Sequence, residues 1–176
     1  DVFTRINMGK IRLTNAELIK ALFLGKIKVD EGKQDRAYLK RLRIATEWDQ
    51  IEYALQDNAF WYFIYEGKEK YDTRIEYIFD LMMEKPEEAD ENYTFIEFSK
   101  LLNEESTDDP VETIWLRIKK YFQIFNEWYQ DRTLFHLIGF LIAAGTPIAS
   151  IKTEAKDQTK TAFRANLHSL IRARID

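Results

Sequence analysis

The chain has 176 residues, 45% of them apolar and 14% aromatic, which is enough to bury a sizeable core and argues against a disordered segment. It has no cysteine, which excludes a disulfide framework, thiolate metal sites and cysteine nucleophiles. No apolar run nears the roughly 20 residues that a membrane-crossing helix needs. The formal charge of −4 is unevenly spread: residues 1–60 carry +2 (11 basic, 9 acidic), residues 61–110 carry −10 (5 and 15) and residues 111–176 carry +4 (10 and 6). That asymmetry is not the footprint of a nucleic-acid binder. Six glycines and three prolines are too few for a turn-rich sandwich. The expected fold is all-α, a multi-helix bundle with at most a short strand remnant at the N-terminus. The first residue is Asp, and no signal peptide follows it. The chain therefore reads as a piece cut from the middle of a longer protein, with a reducing cytoplasm as its natural compartment.

In chain order, Val2 to Asn7 alternates like a strand and Asn7-Met8-Gly9-Lys10 reads as a turn. Thr14-Asn15-Ala16-Glu17 is a capping box that opens a helix ending at Gly25. A second helix is expected from about residue 32 to 56, with Tyr38, Leu39, Leu42, Ala45, Trp48, Ile51 and Leu55 as one buried stripe. Residues 57–64 suggest a short helical turn dense in aromatics. Tyr71-Asp72-Thr73 is expected to cap a helix that ends before Pro86, and residues 84–92 form an acidic surface loop. Thr94-Phe95-Ile96-Glu97 reads as another capping box, and Asp108-Asp109-Pro110 opens the longest helix, through Trp128 and Tyr129. Asp131 should cap the next helix, which Gly145 ends. Pro147 restarts the chain into a final helical stretch through Phe163, Leu167 and Ile171. No internal repeat and no compositional linker divides the chain.

Few residues point to chemistry. Lys152, Lys156, Lys160, Arg164, His168 and Arg172 recur at every fourth position. Each such step drifts about 40° around a helix, so a phosphate-binding ridge is possible only over neighbouring members. A solvated basic face is the ordinary alternative. His136 lies on an apolar helix, where a hydrogen-bonded core histidine is the ordinary case and a base would need a partner within reach. Two histidines without a paired spacing give zinc nothing to stand on. Asp49 with Glu52, and Asp72 with Glu76, are carboxylate pairs able to share a helix face. The aromatic set around Trp48, Trp61, Trp115 and Trp128 suits a core more than a stacking pocket. At the opening segment, the turn glycine and the free N–H groups of the first helix are able to hold an anion, with Arg5 and Lys10 beside them. An ordinary strand–turn–helix fits the same residues.

Val2-Phe3-Thr4-Arg5-Ile6-Asn7-Met8-Gly9, followed by Leu13-Thr14-Asn15-Ala16-Glu17-Leu18, resembles the phenylalanine-arginine-asparagine-glycine block of a bacterial family. That family is the domain of unknown function at the N-terminus of GmrSD-type, modification-dependent restriction systems. Trp48-Asp49-Gln50-Ile51-Glu52, Phe60-Trp61, Thr73-Arg74-Ile75-Glu76, Trp115-x-x-Ile118-Lys119, Glu127-Trp128-Tyr129-x-Asp131 and Phe135-His136-Leu137-Ile138-Gly139 follow in the order that family shows. The resemblance implies a ParB/sulfiredoxin-like nucleotide-hydrolysing lobe with a helical extension. It also implies an HNH-type nuclease in the same or a partner chain, acting on foreign DNA with modified bases. The family's Asp-Gly-Gln-Gln-Arg motif is absent here, and so is an HNH motif. By this resemblance residues 1–25 are the remnant of the upstream lobe and residues 26–176 a helical domain. Arg5, Asn7, Gly9 and Lys10 would rim the severed nucleotide pocket, and Lys152, Lys156, Lys160 and Arg164 would face DNA or phosphate. No residue is expected to be catalytic and no cofactor to be held by this chain; a nucleoside triphosphate and a divalent metal would belong to the parent. Expected partners are the ParB-like lobe, the HNH-type nuclease and DNA, with no membrane contact.

Overall fold

A computed structural model of the chain describes residues 13–176. Among them it contains nine α-helices and no strand, so the all-α bundle is the observed class. The expected strand of Val2 to Asn7 and the turn at Gly9 lie outside the described residues. The helices are α1 Asn15–Gly25, α2 Gln34–Leu55, α3 Asn58–Ile64, α4 Ile75–Met82, α5 Tyr93–Glu104, α6 Pro110–Gln130, α7 Arg132–Ala143, α8 Ile148–Ala155 and α9 Lys160–Ile175. No helix of the described residues is long and apolar enough to cross a membrane.

Several ends follow local chemistry. Thr14 and Glu17 form the reciprocal capping box of α1, and the Asp131 carboxylate accepts from Leu134 N at 3.0 Å to start α7. Asp109 accepts from Glu112 N at the head of α6. Gly145 takes φ +92°, the left-handed turn that ends α7 without a Cβ clash.

The chain divides into two compact units. Of the described residues, 13–57 and 68–122 make the first, and 58–67 and 123–176 the second. In the first unit α1 packs on α4 and α5, and α2 on α4. One buried aromatic from each of five helices builds its centre: Phe23, Trp48, Phe79, Phe98 and Trp115. Trp48 and Trp115 stack at 5.7 Å and 8°, while Phe79 meets Phe98 edge-on at 5.1 Å. Beside this centre a ladder of ion pairs joins α2 to α6 and the residue before it: Lys40 with Asp109, Arg43 with Glu112, and Lys119 with Glu47. The numbers rise together, so these stretches run in the same direction.

That ladder explains a correction. Tyr38, Leu39 and Leu42 were expected in the buried stripe of α2, yet they are 64%, 60% and 51% exposed. The buried face is Ala37, Ile44, Trp48, Ile51 and Leu55. Turning α2 to bring Lys40, Arg43 and Glu47 onto α6 leaves the competing apolar stripe outward. The box expected at Thr94 is also absent. α5 begins two residues earlier, after Asn92, and the buried Thr94 hydroxyl donates to Asp80 instead of capping its own helix. Nor does a side chain cap α4, whose first residues are preceded by Arg74.

In the second unit α9 packs on α7 and α8. Trp128 stacks on Phe163 at 5.7 Å, and Phe63 on Phe135 at 5.0 Å. The single final helical stretch expected after Pro147 is two helices, because Asp157 adopts φ +59° and breaks the run.

Candidate functional site

The first unit carries a cleft of about 470 Å³ at the start of α1, lined by Leu13, Thr14, Asn15 and Leu18 on one side. Glu69, Lys70, Tyr71 and Asp72 from the segment before α4, Glu76 and Asp80 of α4, and Lys85, Glu91 and Asn92 complete it. Glu76 and Asp80 lie four apart on one face of α4, and Asp72 precedes the helix near them, so like charges gather here and repel unless other groups answer them. Here they do. Glu76 accepts from Ala16 N at 2.9 Å, and Asp80 accepts from the Tyr71 and Thr94 hydroxyls. The Asn15 amide donates to the Glu91 carbonyl. The cleft wall thus ties α1, α4 and α5 to one another.

Burial pushes the Glu76 carboxyl above the ordinary glutamate range; the Ala16 N–H works against this, and the neighbouring Asp80 and Asp72 add to it. Thr14 N donates to Glu17, Glu17 N to Thr14 Oγ1, and Ala16 N to Glu76. Of the first-turn donors, Ala16 N and Glu17 N are therefore taken by side chains of the chain, beside the carboxylates of the cleft. Arg5, Asn7, Gly9 and Lys10, the expected pocket rim, lie outside the described residues.

The basic series is dispersed. Lys152 lies on α8, Lys156 at its C-terminal cap, and Lys160 and Arg164 on α9. Lys160 and Arg164 both turn onto Asp131, at 2.7 Å and 3.7 Å. The Lys160 hydrogen bond, helped by the Leu134 N–H and against slight desolvation, lowers the Asp131 carboxyl to about 2. Comparison with protein families, curated proteins and solved structures finds no match to this chain.

The remaining candidates resolve individually. Asp49 pairs with Lys20 at 3.2 Å, while Glu52 accepts from Trp48 Nε1, so this carboxylate pair does not act as one. Asp72 and Glu76 do meet at the cleft. Among the described residues no group of three His, Asp or Glu side chains is placed to hold one metal ion. His136, expected in the core, is exposed, its ring set edge-on to Phe135 at 5.4 Å. The tryptophans fill cores, as their spacing suggested. Sequence reasoning missed Asp80, Glu69 and Glu91; for Asp80, the fourfold spacing from Asp72 and Glu76 was an available signal.

Proposed function

We propose that the chain is a helical accessory region of a modification-dependent restriction endonuclease subunit that acts in defence against foreign DNA, positioning neighbouring lobes without chemistry of its own. The order of its sequence blocks supports this reading. The observation that carries it is how firmly the start of α1 is held: the capping box at Thr14 and Glu17 and the bond from Ala16 N to Glu76 anchor it to a helical body. A helix start fixed in this way is suited to transmit displacement between a preceding nucleotide lobe and whatever the helices contact. The nucleotide, its metal and the HNH-type nuclease belong to the parent system in this reading.

The test is nucleotide turnover in the parent protein carrying Glu76→Ala. Coupling requires turnover to fall while helical content is retained, and unchanged turnover would remove the coupling role. Nucleotide hydrolysis by this chain alone, insensitive to Arg5→Ala, would make it an autonomous hydrolase and overturn the proposal. A second reading, a protein-docking module without nucleic-acid contact, is favoured by the outward Tyr38, Leu39 and Leu42 of α2. Titration with duplex DNA at falling salt separates the two. Binding that disappears when Lys156, Lys160 and Arg164 are neutralised supports DNA contact, and no binding at low salt supports docking.

A further inference from the structure

We draw no further inference here: the strongest candidate, the outward apolar face of α2 at Tyr38, Leu39 and Leu42, has its flanking Lys40 and Arg43 already paired with Asp109 and with Glu112 of α6, and nothing in the structure shows what covers it.

Discussion

Two carboxylates with opposite shifts show how burial and pairing divide the work in this chain. Glu76 is held above its ordinary range, so its ionised form is disfavoured in the folded state. The stability linked to it is fully present below the unfolded value of about 4.3 and is lost as pH rises through the folded value. Glu76→Gln keeps an acceptor for Ala16 N while removing charge beside Asp72 and Asp80. Urea unfolding should therefore show the variant gaining on the parent as pH rises above the ordinary glutamate range. Glu76→Ala removes the acceptor as well and should cost about 1 kcal/mol at neutral pH, the usual loss for a helix cap. Asp131 runs the other way. Its carboxyl is lowered to about 2, so its contribution is present above the unfolded value of about 3.9 and lost as pH falls towards 2. Asparagine is an equally good helix cap, so Asp131→Asn removes only the charge. Its acid unfolding curve should lack the step between about pH 4 and 2 that the parent shows. An unchanged curve would mean that Lys160 and Arg164 do not hold this carboxylate in solution.

At the scale of elements, helix positions were legible because their ends are chemically marked. Thr14 with Glu17, Asp109 before Pro110, Asp131 and Gly145 all act where the sequence places them. Orientation was legible only in part in α2, where the expected Trp48, Ile51 and Leu55 are buried but Tyr38, Leu39 and Leu42 are not. Two apolar stripes have helical spacing there, one through Tyr38, Leu39 and Leu42, the other through Ala37, Ile44 and Trp48. The choice falls to α6 and the residue before it, where Asp109, Glu112 and Lys119 meet one rotation only. A partner more than sixty residues away is invisible to local periodicity. The same cause misled the reading of Thr94, whose hydroxyl is taken by Asp80 of another helix. The break at Asp157 was hidden for a different reason, since a non-glycine residue rarely takes a left-handed conformation. At the candidate site the Asp72–Glu76 pair was visible from spacing, but its closure onto α1 depends on tertiary packing. The rotation of α2 can be tested by paired substitutions two residues apart. Leu42→Glu on the outward face should change stability by no more than about 0.5 kcal/mol. Ile44→Glu buries a charge without a partner and should abolish the cooperative transition of the fold. Equal effects at the two positions would show the face to be wrongly placed. Trp48→Ala, which removes half of the stacked pair with Trp115, should cost about 3–5 kcal/mol by the same measurement.

For the whole molecule, charge decides whether contact with DNA is within reach. Affinity for duplex phosphates rests on cations whose charge is free to displace counterions. This chain carries −4 overall, with −10 concentrated in residues 61–110, and several of those carboxylates line the cleft of the first unit. In the second unit, Lys160 and Arg164 are directed at Asp131. DNA would have to compete with that carboxylate for them. The parent chain should therefore show weak binding that disappears as salt rises. Asp131→Asn leaves both cations without their acid partner while preserving the cap on α7, so affinity at low salt should increase. The slope of log affinity against log salt should steepen by up to about 1.8, at about 0.9 for each phosphate newly contacted. Adding Lys160→Gln and Arg164→Gln to that variant should return the slope to its starting value. A slope that Asp131→Asn leaves unchanged would show that this part of α9 never meets phosphate, and positioning through protein contacts would then account for the helical body without DNA.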